Sequence, residues 1–271
     1  GINLLPLATF AMETYADDPC ALFGLRPVPG ETISNPKTLR LLAQMHKAIT
    51  IIQFKLEAQT ICRRPEFEMD DRLLLHRIDY ERGVITINGL EYPMKDCNFP
   101  TVDPHNPYKL TDEEKEIVEK LHRSFVGSEK LRKHIRHIFR NGCMYTVTNS
   151  NLLFHASIPL NADGSLREIE ILGKKYKGKA LLEKVGHLIR TAYFEDNKTE
   201  EKRFAKDYIW YLWCGPVSPP FDKNRMATFE RYLLSDKEAQ KEHKGWYNVL
   251  KNHASLDFTD PEAEAEAQEQ E

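Results

Sequence analysis

His155 is the chemistry-bearing residue that the sequence sets apart, in the stretch NLLFHASIPLN of residues 151–161. Three apolar residues precede it and predict a buried strand, which ends abruptly at the imidazole. The last residues of such a strand face the crevice where α/β sheets bind ligands, so His155 could ligate a metal ion. The small residues Ala156 and Ser157 would let a substrate approach closely. A histidine in this setting is more often structural, and spacing alone leaves both interpretations open.

No self-sufficient catalytic motif accompanies His155. The sequence contains no P-loop, GxGxxG, GxSxG or HExxH pattern, which would each carry a mechanism alone. Three further histidines, His122, His134 and His137, lie in charged helical segments. Their spacing is not that of a metal site, and it favours a solvated helix face.

The elements that must position His155 are predicted from local pattern. CMYTVTNSNLLFHASIPL predicts two strands joined at TNSN, NADGS predicts a turn, and LREIEILGKKYKG predicts a hairpin that turns near Gly173. Two helices should follow. The second is rich in aromatic rings that favour core packing and leave sugar stacking as an alternative: Tyr208, Trp210, Tyr211 and Trp213. A proline-broken loop, PVSPPFDKNRMATFERYLLSD, then leads into a short helix.

The N-terminal half has its own signals. An apolar run at the first residues predicts a strand, and residues 34–65 predict one long helix capped by Ser34 or Asn35. GVITINGLEYPM predicts a hairpin around Asn88-Gly89. Thr111 and Ser128 should cap two charged helices. The buried face of the long helix is predicted from apolar residues spaced by three and four: Leu42, Met45, Ile49, Ile52 and Leu56.

Composition narrows the class of protein. The 271 residues are 41% hydrophobic and 29% charged, without an apolar run long enough to span a membrane. Five scattered cysteines favour reduced core thiols over a metal or disulfide framework. The net charge is −3, but the tail of residues 257–271 holds seven acids and no base, which predicts disorder there. The rest is mildly basic, too little to predict nucleic-acid binding.

Four long stretches resemble the bacterial class III fructose-1,6-bisphosphatases, which look like members of the calcineurin-like metallophosphoesterase superfamily. They are GINLLPLATFAMETY, DRLLLHRIDYERGVITINGLEYPMKDCNFPTVDPHNPYKLT, GSEKLRKHIRHIFRNGCMYTVTNSNLLFHASIPLNADGS and YIWYLWCGPVSPPFDKNRMATFERYL. The resemblance covers roughly residues 1–245. It implies an α/β chain that forms part of a metallophosphoesterase-like β-sandwich flanked by helices, with a helical and hairpin insertion. The corresponding segments are a core strand and long helix at 1–66, the insertion at 67–142, core strands and helices at 143–256, and an acidic tail at 257–271.

The same resemblance implies the chemistry. It predicts a cytoplasmic phosphatase of gluconeogenesis that hydrolyses the 1-phosphate of fructose 1,6-bisphosphate, with manganese as the metal. In such a site two metal ions activate a water that attacks phosphorus in line. By similarity His155 stands where the family places a metal ligand. Lys223, Arg225 and Arg231 are candidate phosphate contacts, because arginine forks onto phosphate and lysine offers a point charge. Ordinary surface roles stay open for all three, and Glu230 is expected to pair with one of them.

The sequence also departs from the family pattern. Ala156 and Asp222 stand where the family is expected to have glycine. The early metal motifs and the late Gly-His strand are absent and should lie before Gly1 and after Asn252. One imidazole cannot hold two divalent ions. We therefore expect a central fragment that is inactive alone, and that associates as a homo-oligomer or complements another fragment.

Two alternatives stay open. The charged helices of residues 111–140 could make the chain a non-catalytic regulatory or interaction module. A protein phosphatase of the same superfamily would share the metal chemistry. The expected partner is a small sugar bisphosphate, with no nucleic acid or membrane partner.

Overall fold

The computed structural model describes residues 2–24, 35–195 and 199–241. These residues have mixed α/β structure, as predicted, with short antiparallel sheets. The chain divides into two compact units: unit 1 comprises residues 1–135 and 227–241, and unit 2 comprises residues 136–226 and 242–271. No helix within the described residues combines the length and the apolar character that crossing a bilayer requires.

The α-helices of the described residues are α1 (Leu5–Thr14), α2 (Pro36–Arg63), α3 (Asp112–Gly127), α4 (Glu129–Asn141), α5 (Gly178–Phe194), α6 (Glu200–Cys214) and α7 (Thr228–Leu233). The strands are β1 (Ile78–Asp79), β2 (Val84–Ile87), β3 (Leu90–Pro93), β4 (Tyr145–Thr148), β5 (Asn151–Phe154), β6 (Ile169–Ile171) and β7 (Lys174–Tyr176). They form one three-stranded sheet, β1-β2-β3, and two hairpins, β4-β5 and β6-β7.

The predicted N-terminal strand is wrong, because the run folds as helix α1. Leu7, Ala11 and Tyr15 are buried at intervals of four residues. This spacing places all three on one helical face, whereas in a strand the same face would carry alternate residues. The buried face packs in a core cluster with α2 residues such as Ile52.

The long helix α2 is confirmed, with Pro36 at its first position and the Asn35 side chain accepting a hydrogen bond from the Lys37 amide. Its buried face differs from the prediction. Leu42 and Leu56 are exposed. The buried positions include several polar ones, so the hydrophobic pattern alone misplaces the face: Gln44, Lys47, Thr50, Lys55 and Thr60.

Lys47 and Lys55 are both 0% exposed. The Lys47 Nζ atom lies 2.6 Å from Asp18 Oδ2 and 2.6 Å from Asp96 Oδ2. Its ammonium also lies 5.2 Å from the centre of the Tyr15 ring, a cation–π distance. One buried ammonium thus joins α2 to the turn after α1 and to the segment after β3.

Lys55 makes the second buried connection. Its Nζ atom donates to Glu114 Oε2 at 2.7 Å and to the Thr101 carbonyl at 2.6 Å. Glu114 is itself 0% exposed, and its Oε2 also accepts from the Thr111 amide, completing a capping box at the start of α3. The predicted Thr111 cap is confirmed. The Glu114 carboxylate that completes this cap is also the counter-ion of Lys55.

The three-stranded sheet packs its buried face on a core that includes Ile85, Ile87 and Phe229. The predicted hairpin is confirmed: Asn88 and Gly89 both have positive φ, of 52° and 79°, as a two-residue type I′ turn requires. The predicted short helix is α7, whose end is bonded to the segment that directly follows β3, since the Lys95 amide donates to the Leu233 carbonyl at 2.8 Å.

Unit 2 contains the predicted hairpins at the predicted places. The β4-β5 loop residues Asn149 and Ser150 both have positive φ, as do Leu172 and Gly173 between β6 and β7. Helices α5 and α6 follow. Tyr208 and Tyr211 of α6 are buried and stack at 5.3 Å, so the core interpretation is correct for them. It is wrong for Trp213, which is exposed.

The five cysteines are free thiols, as expected. Only Cys20 and Cys214 are buried, so the prediction that all are core thiols is wrong for Cys62 and Cys143, which are exposed. Burial, together with the nearby Asp18 carboxylate, raises the pKa of Cys20 to about 12. That thiol is therefore protonated at neutral pH and packs as an apolar group.

Replacing Lys55 by methionine should destabilise the chain by about 3–5 kcal/mol, because the Glu114 carboxylate would stay buried without a counter-ion. Adding Glu114→Gln should recover part of this loss, since the amide oxygen can still accept from the Thr111 amide. Denaturant unfolding followed by circular dichroism measures both effects. The control is Lys120→Met in the exposed pair with Glu116, expected to cost less than about 1 kcal/mol. Equal losses at Lys55 and Lys120 would contradict the burial of Lys55.

Asp18 should make the stability of the chain depend on pH. Burial raises the pKa of Asp18, but the Lys47 ammonium and the Cys20 amide that bond to it outweigh burial, so the pKa lies below its usual value. The stabilisation is therefore present above the unfolded-state pKa of about 3.9 and is lost as pH falls through the lower folded-state value.

The melting temperature of Asp18→Asn should accordingly fall below that of the wild type at pH 7, with the gap closing as the pH drops towards 3. Thermal melts across this range measure the gap. The adjacent exposed Asp17 supplies the matched control, Asp17→Asn, for which no such gap is expected. A gap at Asp18 that stayed constant with pH would show that the charge of Asp18 is not responsible.

Candidate functional site

His155 follows directly after β5, as predicted, but the strand is not buried. Its leucines are exposed, Leu153 by 54%, and β5 pairs antiparallel with β4 alone among the described residues. The predicted crevice at the edge of an α/β sheet is therefore not formed here. The imidazole is exposed and makes no hydrogen bond with any residue that the structure describes.

The segment after His155 turns into the interior of unit 2 and is buried. Ala156 is 8% exposed and Ser157 1% exposed, so these small residues fill the interior and do not form an open approach to His155, as the sequence suggested. The amide and the hydroxyl of Ser157 both donate to the carbonyl of Pro219, at 3.0 and 3.2 Å. Two donors on one carbonyl fix the position of the chain immediately after the imidazole.

The loop that receives these bonds is held by α6. The Ser218 hydroxyl donates to the Leu212 carbonyl at 2.6 Å, and the Phe221 amide donates to the Ser218 carbonyl. The same loop continues to Lys223 and Arg225, two of the predicted phosphate contacts. The structure thus brings the His155 segment and the backbone that carries these bases onto one support, the C-terminal end of α6. In the sequence this support corresponds to the run SPP, residues 218–220, which was interpreted only as part of a proline-broken loop.

The third predicted base belongs to a different unit. Arg231 is exposed on α7 in unit 1, whereas Lys223 and Arg225 lie partly buried in unit 2. The Lys223 ammonium lies 5.6 Å from the centre of the Phe221 ring. The structure therefore does not assemble the three bases within either unit.

Glu230 does not pair with one of these bases, contrary to the prediction. Its two carboxylate oxygens accept from the two terminal nitrogens of Arg72, each at 2.8 Å, and Glu230 is 0% exposed. The Glu230 carboxylate outweighs burial and raises the pKa of Arg72. This buried fork connects α7 to the short 3-10 helix Asp70–Arg72 and has a structural role.

Ala156 and Asp222, the two positions where the family is expected to have glycine, differ in backbone conformation. Asp222 has a φ of +61°, the left-handed region that favours glycine and that aspartate tolerates better than most residues. The glycine that the resemblance predicts at this position therefore has a physical reason. Ala156 is not among the described residues with positive φ, so its backbone gives alanine no penalty.

No three side chains of the metal-binding types come together within the described ranges. His122, His134 and His137 are exposed on α3 and α4. Divalent ions need several ligands each, so the described residues do not by themselves fit the manganese pair that the resemblance implies.

One face of the β4-β5 hairpin is apolar and partly uncovered. Tyr145 pairs with Phe154, and Val147 with Leu152, so all four side chains share that face. Val147 is 61% exposed at the far end of the hairpin. Isolated two-stranded hairpins are at best marginally stable in water, and an uncovered apolar face indicates a surface that packs against something else.

Comparison with known proteins identifies the class to which this chain belongs. The family model described as firmicute fructose-1,6-bisphosphatase matches residues 1–257. The chain is a member of that family, as the resemblance indicated.

Its relatives narrow the assignment. The chain is 69% identical over 257 residues to a class 3 fructose-1,6-bisphosphatase of Phocaeicola vulgatus, 64% identical to one of Bacteroides fragilis and 53% identical to one of Clostridium botulinum. Each alignment covers 94% of this chain but 39% of the relative. The chain thus spans about two fifths of the length of these relatives. No solved structure matches.

The positive φ of Asp222 predicts an unusual order of stability. Asp222→Gly should be more stable than Asp222→Ala by about 1 kcal/mol, because both lose the side chain and only glycine avoids the left-handed penalty. Asn224, exposed and outside the positive-φ set, should show the reverse order. Denaturant unfolding followed by tryptophan fluorescence tests this through Trp210 and Trp213. Equal stability of the two Asp222 variants would mean that the turn is not left-handed.

Proposed function

We propose that this chain is the central part of a class III fructose-1,6-bisphosphatase that hydrolyses fructose 1,6-bisphosphate to fructose 6-phosphate and phosphate. The observation that carries the proposal is the family match over residues 1–257, together with 69% identity to a relative of that name. The role would be in gluconeogenesis and the location cytoplasmic. The interaction-module alternative is not favoured, because the relatives that align with 94% of this chain are named as phosphatases.

The exposed β4-β5 hairpin supports the proposal that this chain forms only part of a β-sandwich. The uncovered apolar face of β4-β5 would be covered by strands from the part of the family polypeptide that this chain does not span, forming the metallophosphoesterase-like β-sandwich. Such packing would bury Val147 and Leu152 and give the hairpin the further strands that it needs. His155 would then lie at the end of an interior strand, the setting that the sequence pattern predicts.

The metal proposal follows from the same incompleteness. His155 would contribute one ligand to a manganese site whose other ligands lie outside the described residues. Manganese accepts mixed imidazole, carboxylate and water ligation, and it would supply Lewis-acid chemistry at the phosphate. The exposed imidazole has no competing hydrogen bond in the described structure. The Ser157–Pro219 bonds would hold the backbone after it in place.

Lys223 and Arg225 are proposed phosphate contacts because their loop and the His155 segment share the support of α6. A basic side chain near the metal would bind a phosphate oxygen and stabilise its charge. Arg231 is proposed with them from the resemblance alone. The substrate partner is a small sugar bisphosphate.

The test is a chimera in which residues 1–257 of this chain replace the aligned segment of the Phocaeicola vulgatus relative. Phosphate release from fructose 1,6-bisphosphate with added manganese should occur in the chimera and not in this chain alone. His155→Ala in the chimera should reduce the rate at least about 100-fold, as expected when a metal ligand is lost. The matched control is His134→Ala, an exposed histidine of α4, which should retain the rate.

Three outcomes would count against parts of the proposal. Full activity of the His155→Ala chimera would remove the ligand assignment. Release from a phosphopeptide in preference to the sugar bisphosphate would favour the protein phosphatase alternative. A folded chimera inactive on both substrates would contradict the enzymatic assignment of this segment.

A further inference from the structure

One aromatic ring of α6 contributes little to the core of unit 2. The sequence left core packing and sugar stacking open for the rings of this helix, and the structure buries Tyr208 and Tyr211. Trp213 is 73% exposed, the largest exposed fraction of any large hydrophobic side chain in the described residues. It is also the only exposed residue between Asp207 and Lys223. Tryptophan is well buried on average, so this ring is available for a contact outside the fold.

Trp213 lies where the loop after α6 is attached to the helix. The Ser218 hydroxyl donates to the carbonyl of Leu212, the residue before Trp213, at 2.6 Å. The Val217 amide donates to the Tyr211 hydroxyl at 3.4 Å. The loop therefore folds back against the last turn of α6, which is the turn that carries the indole.

Two candidate phosphate contacts belong to the same loop. Lys223 and Arg225 are both partly buried there. The Lys223 ammonium lies 5.6 Å from the centre of the Phe221 ring, a cation–π distance that limits where the ammonium can lie. The Phe221 amide in turn donates to the Ser218 carbonyl at 3.1 Å. Ser218 thus joins the stretch that bears the bases to the turn that carries Trp213.

A phosphorylated sugar has the chemistry that an aromatic ring and nearby bases recognise. The C–H bonds of the sugar ring form an apolar face that stacks on an aromatic side chain, and the phosphates pair with lysine and arginine. Small-molecule sites typically combine aromatic surface with a few charged groups that fix orientation. An apolar protein segment could cover the indole but would not complement the positive charge beside it.

We propose that Trp213 is a specificity-determining residue that stacks on the ring of a phosphorylated sugar while Lys223 and Arg225 contact its phosphate. The identity of the sugar as fructose 1,6-bisphosphate rests on the proposed function, and the ring contact is the addition. All three residues belong to unit 2. This chain should therefore bind the sugar phosphate weakly by itself, whether or not hydrolysis needs further parts of the family polypeptide.

Saturation-transfer NMR on the full chain tests the contact without requiring activity. Saturating the aromatic protons of the protein should transfer magnetisation to the carbon-bound ring protons of fructose 1,6-bisphosphate. Glycerol phosphate carries a phosphate but no ring, so it should receive little. Because both probes are compared on the wild type, this arm does not depend on the folding of any variant.

Variants assign the transfer to one side chain. Trp213→Ala should reduce the transfer to the level seen with glycerol phosphate, whereas Trp213→Phe should retain it because an aromatic face remains. The matched control is Phe194→Ala, an exposed aromatic residue of α5 in the same unit, which should also retain it. Thermal melts followed by circular dichroism should be nearly unchanged for Trp213→Ala, since the removed ring is mostly exposed.

The chimera with the Phocaeicola vulgatus relative supplies a kinetic arm. Trp213→Ala should raise KM for fructose 1,6-bisphosphate about tenfold, the loss expected for one aromatic stacking contact. The value of kcat and the inhibition constant of inorganic phosphate should stay the same, because that ion would contact the bases and not the ring. A general structural defect would change all three.

Several results would overturn the ring contact. These are equal transfer in the wild type and Trp213→Ala, or no transfer in the wild type. A Trp213→Ala chimera with lower stability and an unchanged KM would place the indole in an interface within the family polypeptide, which also overturns it. An inactive chimera together with transfer that depends on Trp213 would contradict the proposed function alone and support the ring contact.

Discussion

The burial of two ammonium groups on α2 is the constraint on which unit 1 depends. A charged lysine is stable in an interior only when carboxylates and hydrogen-bond acceptors surround it. Lys47 recruits Asp18 and Asp96, and Lys55 recruits Glu114 and the Thr101 carbonyl. These partners come from three separate segments: the turn after α1, the connection between β3 and α3, and α3 itself. The two lysines therefore fix which segments may lie against α2, a restriction that apolar packing alone would not impose.

The same constraint explains where sequence reasoning succeeded and where it failed in unit 1. The extent of α2, its Asn35 cap and the Thr111 capping box are local features, set by residues within a few positions of one another. The buried face of α2 is not local. Nothing near Lys47 in sequence shows that Asp18 and Asp96 will reach it, so periodicity placed Leu42 and Leu56 inside instead. The prediction of a strand at the N-terminus failed for a related reason. A short apolar run is compatible with a strand and with a helix until the element that packs against it is known.

In unit 2 the turns were predictable and the environment was not. The turns at Asn149-Ser150 and at Gly173 are predictable because asparagine and glycine are residue types that accept positive φ. These turn residues correctly predict the position of the β4-β5 hairpin. The leucines of β5 are nevertheless exposed, although the run of apolar residues predicted a buried strand. A strand pattern reports the environment for which a sequence was selected. The relatives extend well beyond this stretch, and under the proposed function that environment would include residues that the chain does not span.

This difference also bears on how His155 should be understood. The Ser157–Pro219 bonds and the Ser218–Leu212 bond fix the backbone that follows the imidazole using residues of unit 2 alone. The imidazole makes no hydrogen bond with a described residue, and the strand before it pairs with β4 alone among them. The proposed metal site would therefore have its support inside unit 2 and its ligands spread over several segments of the polypeptide. The sequence did not reveal this support, because Ser157 and Pro219 are 62 residues apart and the SPP run was treated only as part of a loop. The ligands of the proposed site would likewise meet only when distant parts of a polypeptide fold together.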